Sequence, residues 1–227
     1  MKKQSCAAVI VAAGTASRME GIDKTVVPIC GVPLILRTVR AMAASERITQ
    51  IVIVTREDLI DTVRELCRGE EKLCAVVPGG SSRTESVLRG LQATSCELVA
   101  IHDGARPFVT VPIIDEAIEA AQIYGAAAPA VPVKDTIKIA ENNRVSSTPD
   151  RSVLYAVQTP QVFPKKVIEA CLLEAIEKGI PLTDDCSAAE AAGLPVILTT
   201  GSHENLKITT PVDLAFAGAI VERREAL

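Results

Sequence analysis

The stretch Cys6-Ala7-Ala8-Val9-Ile10-Val11-Ala12-Ala13-Gly14-Thr15-Ala16-Ser17-Arg18-Met19 decides how the rest of this 227-residue chain is read. Its first half is a short continuous apolar run, over residues 7–12. Such a run suits a parallel strand covered on both faces. Its second half is a loop of small residues that ends in a cation. Lys2 and Lys3 ahead of the apolar run mimic a short signal peptide. The run reads better as a buried first strand.

Five more apolar runs follow, at residues 51–55, 73–77, 98–102, 127–133 and 196–199. Helical patterns fill the gaps, over residues 34–44, 57–68, 83–93, 112–124, 164–178, 184–192 and 211–224. Several open on proline and close on glycine (Gly69, Gly125, Gly179, Gly193), the expected punctuation of a helix. Strand alternating with helix predicts right-handed crossovers and an α/β three-layer sandwich.

One segment breaks that rhythm. Residues 136–140 and 153–157 alternate, with polar Glu141-Asn142-Asn143-Arg144 and Ser146-Ser147-Thr148-Pro149-Asp150 between them. They predict a β-hairpin arm at about residues 134–158, projecting from one domain that spans residues 1–227. Such an arm exposes strand edges, which proteins usually cover. A second copy of the chain is the simplest cover.

Composition narrows the function. Apolar residues make up 48% of the chain and charged residues 23%, which excludes a disordered polypeptide. No run of about eighteen apolar residues occurs, so no membrane-spanning helix is expected. Lys plus Arg is 24 against 28 acidic groups, a net charge of −4, which disfavours nucleic-acid binding. An anionic ligand must therefore be held by a few placed cations. Seven cysteines without a C-x-x-C pair argue against a disulfide scaffold or zinc site and point to a reducing cytoplasm.

Open parallel sheets bind ligands beyond the carboxyl ends of their strands. After the first strand, Ala12, Ala13 and Gly14 let backbone approach a ligand, and Arg18 and Lys24 add charge. G-x-G-x-x-G is absent, and no glycine directly precedes Lys24 as a P-loop requires. After the third strand comes Gly79-Gly80-Ser81-Ser82-Arg83-Thr84-Glu85-Ser86. There Gly80 would let a flat base pack on backbone, and Ser86 would read its polar edge. The plainer reading is a helix cap at Ser81 or Ser82. After the fourth strand, Asp103 is a seat for Mg²⁺ beside phosphates. Arg106 either grips a second anion or bridges back to Asp103. His102 reads as a satisfied core group. Late in the chain, Lys207 is a cation in an apolar frame. Several cations, one strand-end carboxylate and two small-residue loops suit phosphoryl or nucleotidyl transfer.

The ordered motifs resemble one family. They are A-A-G-x-x-x-R-M at 12–19, Lys24, G-G-x-x-R-x-x-S-V at 79–87, H-D-x-A-R-P at 102–107 and V-x-D-T-I-K at 133–138. Asp150-Arg151, Q-T-P-Q at 158–161, T-D-D at 183–185 and N-L-K-I-T-x-P-x-D-L at 205–214 complete the set. Together they resemble the cytidylyltransferases that act on 2-C-methyl-D-erythritol 4-phosphate in non-mevalonate isoprenoid synthesis. The resemblance implies a mostly parallel, Rossmann-like sheet of nucleotidyltransferase type. It implies CMP transfer from CTP with a divalent cation, usually Mg²⁺. Arg18, Lys24 and Lys207 would be the catalytic cations, with Asp103 the metal-side carboxylate. Ala12, Ala13, Gly14, Gly80, Arg83, Ser86 and Asp103 would bind the nucleotide. Arg106, Thr136, Arg151 and Thr159 would serve the acceptor, Thr136 and Arg151 reaching the other subunit of a homodimer from the arm. Ser82 stands where the family often has an acidic residue, and Gly104 where alanine is common.

Two other readings share some of these features. A ribitol 5-phosphate cytidylyltransferase shares the fold and the CTP half of the site. Ala12-Ala13-Gly14 in place of Ala-Gly-Gly, and Asp103-Gly104-Ala105-Arg106 in place of Asp-Ser-Val-Arg, favour the erythritol acceptor. A non-catalytic nucleotide-binding module would need no Arg18 or Lys24, and both are present.

Overall fold

A computed structural model of the chain describes residues 5–14 and 25–226. Strand β1 (Cys6–Val11) is followed by the short hairpin β2 (Pro28–Ile29) and β3 (Val32–Pro33), then α1 (Leu34–Ala43) and β4 (Ile48–Thr55). Next come α2 (Ile60–Leu66), entered through a 3-10 turn at Glu57–Leu59, β5 (Leu73–Pro78), α3 (Arg83–Gln92) and β6 (Leu98–Asp103). Then follow α4 (Val111–Tyr124), β7 (Ala127–Pro132), β8 (Ile139–Glu141), β9 (Arg144–Ser147), β10 (Tyr155–Val157) and β11 (Gln161–Pro164). The chain closes with α5 (Lys165–Glu177), α6 (Asp185–Ala191), β12 (Ile197–Thr200) and α7 (Pro211–Glu225).

β5, β4, β1 and β6 lie side by side and parallel, and β12 runs parallel to β7. This is the mostly parallel sheet expected. The six apolar runs all became strands, with ends shifted by up to three residues. One strand of this sheet was not expected. β11 runs antiparallel to β6 and meets β7, filling the gap between them. It is only four residues long and ends on Pro164, the residue read as the start of a helix. Pro164 does both jobs, closing β11 and capping α5.

β1 shows why both faces are covered. Cys6, Ala8 and Ile10 enter one apolar cluster with α1 and α4. Ala7 and Val9 enter the other, with α3, α5 and α6. Alternate side chains of one strand thus feed two cores. A third, smaller cluster joins Ile29, Leu34, Ala105, Phe108 and Ile208 to the inner face of α7.

The arm is a correction to the expected pairing. Residues 136–140 do not pair with 153–157. β8 instead folds on β9 around Asn142 and Asn143, whose φ values are +47° and +63°. Asparagine tolerates this left-handed region, and a two-residue turn of that kind matches strand twist. β10 leaves the arm and joins β7 in the main sheet. Ile139, Val145 and Val153 stay exposed.

All seven cysteines are free thiols: Cys6, Cys67, Cys96, Cys171 and Cys186 are buried, while Cys30 and Cys74 are exposed. Burial pushes the Cys67 thiol up to about 11 and those of Cys6 and Cys186 higher still. Among the described residues, no helix is long and apolar enough to cross a membrane.

Candidate active site

Three strand ends meet at one edge of the sheet, tied together through their backbones. The Ala12 amide donates to Val54 O (2.7 Å), Gly79 to Thr55 O (2.7 Å) and Gly104 to Val11 O (2.9 Å). These bonds draw the loops after β1, β5 and β6 into contact. Small residues are required there. A Cβ on Gly79 would sit 2.3 Å from the Ala13 methyl, and one on Gly104 would sit 2.8 Å from the Ala12 methyl. The loops enclose a cavity of about 390 Å³. Of the residues singled out from the sequence, Ala12, Ala13, Gly14, Gly80, Arg83, Ser86, Asp103 and Lys207 line it. Thr25, Ser81, Ser82 and Gly104 line it too.

Ser82 caps α3 by accepting from the Glu85 amide at 3.1 Å, the cap expected at Ser81 or Ser82. The Glu85 carboxylate then accepts from the Ser81 amide and hydroxyl, at 2.7 and 2.8 Å. Ser86 is buried, and its hydroxyl is engaged by the loop itself. It accepts from the Gly80 amide at 3.0 Å and donates to Ser82 O at 2.8 Å. Ser86 therefore fixes the loop that forms the cavity wall.

The charges form an alternating chain. Asp185, at the start of α6, takes the Arg83 guanidinium in a two-pronged contact of 2.9 and 2.7 Å. Arg83 lies 4.0 Å from Asp103 Oδ1. Asp103 Oδ2 lies 3.0 Å from Lys207 Nζ and 3.4 Å from Arg106 Nε. Burial pushes the Asp103 carboxyl up, but Lys207, Arg106 and Arg83 together outweigh it and hold Asp103 below the usual carboxylate range. Asp185 is more deeply buried. Burial raises its carboxyl, and Arg83 only partly opposes the rise. Of the two sequence readings of Arg106, the bridge to Asp103 is formed. Its Nη1 also donates to Asn205 O at 2.6 Å, and it does not line the cavity.

His102 is a satisfied core group. The Thr159 hydroxyl accepts from the Asp103 amide (3.1 Å), so its own proton goes to His102 Nδ1 (2.9 Å). That leaves Nε2 to donate to Arg106 O (3.0 Å). Burial holds the imidazole neutral, its pKa lowered to about 4.

The remaining predicted residues lie elsewhere. Arg18 and Lys24 lie outside the described residues. Thr159 is buried behind Asp103. Thr136 and Arg151 are exposed on the arm, where Arg151 donates to Lys134 O at 2.7 Å. Sequence reasoning quoted Asp185 and Gln161 in motifs but gave them no role. The residue types give no such signal, because the partners meet only through space. Among the described residues, no cluster of three or more metal-ligating side chains occurs.

A glycine- and alanine-floored cleft at the carboxyl edge of a mostly parallel sheet, walled by paired charges, is the architecture of an α/β nucleotidyltransferase. The sequence pattern of 2-C-methyl-D-erythritol 4-phosphate cytidylyltransferases (IspD) matches residues 6–223, and the chain belongs to that family. A relative bearing that name from Caldanaerobacter subterraneus subsp. tengcongensis is 45% identical over 217 residues, covering 92% of this chain and 96% of its own. Another, from Geobacillus kaustophilus, is 44% identical over 228 residues, covering 96% and 98%. The crystal structure of 4-diphosphocytidyl-2C-methyl-D-erythritol synthase from Anaerococcus prevotii superposes with a TM-score of 0.87 at 30% identity, covering 97% of each chain. That of the cytidylyltransferase from Thermus thermophilus gives 0.79 at 31% identity, covering 94% of this chain and 98% of its own.

Proposed function

We propose that this chain transfers CMP from CTP to 2-C-methyl-D-erythritol 4-phosphate, releasing pyrophosphate. The observation that carries this is the meeting of Lys207 and Asp103 across one cavity from the Ala12–Gly14 and Gly79–Ser86 loops. The small-residue loops leave room for a flat base against backbone. Arg83 and Ser86 hold the walls of that room.

The reaction brings one anion onto another. An acceptor phosphate oxygen attacks the α-phosphorus of CTP, and pyrophosphate leaves with the bonding electrons. The second pKa of a phosphate monoester is about 6, so the attacking group is already largely deprotonated at neutral pH. No general base is required. None is offered by His102, whose two nitrogens are both engaged. What the protein supplies is fixed positive charge. Lys207 aligns the acceptor phosphate, and Arg18 and Lys24 hold the triphosphate. Asp103 keeps Lys207 and Arg106 in place through its Oδ2.

Mg²⁺ fits this donor set. Mg²⁺ at nucleotide sites commonly takes one or two carboxylates together with substrate phosphates. Asp103 lines the cavity, and Arg83 stands 4.0 Å from its Oδ1. Bound there, the ion would neutralise phosphate charge. The exposed apolar arm supports a homodimer, in which Thr136 and Arg151 serve the acceptor site of the partner and Arg106 and Thr159 support that site from within. The thiol-rich, disulfide-free composition supports a cytoplasmic enzyme.

The test sets two acceptors side by side. With CTP and Mg²⁺, the purified protein is expected to release pyrophosphate with 2-C-methyl-D-erythritol 4-phosphate and only poorly with ribitol 5-phosphate. A preference for ribitol 5-phosphate overturns the acceptor assignment.

A further inference from the structure

The four residues Gln158-Thr159-Pro160-Gln161 link β10, on which the arm returns to the sheet, to β11 in the middle of the sheet. Their three polar side chains are all buried, and each bonds a different neighbouring segment. Gln158 Nε2 donates to Ser202 O (2.8 Å). Its Oε1 accepts from the Ser202 amide (3.3 Å) and from Asn205 Nδ2 (3.2 Å). This clasps the turn that leads into Lys207. The Thr159 hydroxyl accepts from the Asp103 amide at 3.1 Å, and Thr159 O accepts from Asn205 Nδ2 at 3.0 Å. Gln161 Oε1 accepts from the amides of Asp185 and Cys186, both at 3.0 Å. Gln161 Nε2 donates to Asp184 Oδ2 at 2.7 Å. This fixes the start of α6, from which Asp185 holds Arg83.

We propose that Gln158 and Gln161 are positioning residues that set the two sides of the site independently, Gln158 through the Lys207 turn and Gln161 through Asp185 and Arg83. The proposal rests on the cytidylyltransferase reading for the naming of those sides: Arg83 on the nucleotide side, Lys207 on the acceptor side. Neither glutamine lines the cavity. Each acts through a charged group that does. Both sit on one four-residue segment, and their bonds run to separate parts of the chain. That segment is also the root of the arm.

The test is a separation of kinetic effects. Gln161→Leu and Gln158→Leu keep the side-chain volume and remove the bonds. Misplacement of a substrate-positioning group by about 1 Å costs on the order of a hundredfold, so effects of tenfold or more are expected. Gln161→Leu is expected to raise KM for CTP and leave KM for the acceptor near its starting value. Gln158→Leu is expected to lower kcat and raise KM for the acceptor, with KM for CTP little changed. Gln161→Leu combined with Asp185→Asn is expected to be no worse than Asp185→Asn alone, because the first acts through the second. Circular dichroism and thermal unfolding report whether the variants are folded. If the leucine variants do not fold, Gln161→Asn and Gln158→Asn, which keep the amide but draw it back from its partners, carry the same comparison. Equal effects of both substitutions on both substrates, or unchanged kinetics in both, overturn the proposal. An unmodified protein that does not turn over CTP with the erythritol phosphate overturns the proposed function instead, so the two failures are distinct.

Discussion

Lys207 Nζ lies 3.0 Å from Asp103 Oδ2, joining the end of β6 to the segment that precedes α7. The Lys207 side chain is still 43% exposed. Asp103 thus orients the ammonium group while one side of it remains open to an incoming phosphate. Lys207→Ala is expected to lower kcat by roughly a hundredfold or more, the magnitude seen when one donor to a charged transition state is removed. Arg18→Ala and Lys24→Ala should act alike if both hold the triphosphate. Steady-state pyrophosphate release measures this, and near-normal turnover in all three variants would rule out the mechanism.

The Arg83–Asp185 pair makes a stability prediction. Asp185 is almost fully buried, whereas the Arg83 side chain keeps 35% of its exposure. Asp185→Asn leaves the guanidinium with only the more distant Asp103 carboxylate, at 4.0 Å, as a close counter-charge. Breaking a fully buried pair costs about 3–5 kcal/mol and an exposed one under about 1, so a loss of about 2 kcal/mol is expected here. Urea unfolding at neutral pH checks it. Unchanged stability would mean that Asp103 and solvent together satisfy Arg83.

His102 gives a pH prediction with a definite sign. Its pKa falls from 6.5 to about 4 in the folded protein because the neutral ring is buried. As pH drops below 6.5 the unfolded chain takes up the proton first, and stability declines. The loss from this one group runs between pH 6.5 and 4 and totals about 3 kcal/mol. Unfolding midpoints across that range are expected to fall in the starting protein and to change less in His102→Gln, whose amide keeps a donor and an acceptor. Parallel profiles for the two proteins would contradict the assignment.

The arm predicts complementation. If Arg151 serves the acceptor site of a partner subunit, Arg151→Ala and Lys207→Ala homodimers are each inactive. A verified heterodimer of the two contains one site with both original residues, so partial recovery of activity is expected. No recovery would place Arg151 outside any shared site.

The local features of this fold were legible because they depend on near neighbours. The six apolar runs, the Ser82 cap and the small-residue loops all follow from residue type and spacing. What escaped depends on partners far apart in sequence. β11 is too short, and too close to Pro164, to announce itself as a strand. Its place is set by the gap between β6 and β7. The arm was visible as alternation, but its pairing was decided by Asn142 and Asn143, which turn the chain earlier than the alternation implied. At the site, the residue types of the cavity lining could be read in advance. The partner of Arg83 could not, because Asp185 reaches it only through the packing of α6 on α5, which in turn lies against α3.

The distribution of thiols gives the enzyme a practical property. Five sulfurs are shielded, and the two exposed ones differ in place. Cys74 lies on β5, and Cys30 lies at the tip of the β2–β3 hairpin, a few residues beyond Lys24. Replacing Cys74 with serine leaves a single accessible attachment point for a fluorophore. A dye carried there sits on the hairpin flanked by Thr25 and Leu34, both in the cavity lining, so a change in its emission on adding CTP is the expected optical signal of nucleotide arrival, with no engineered cysteine needed.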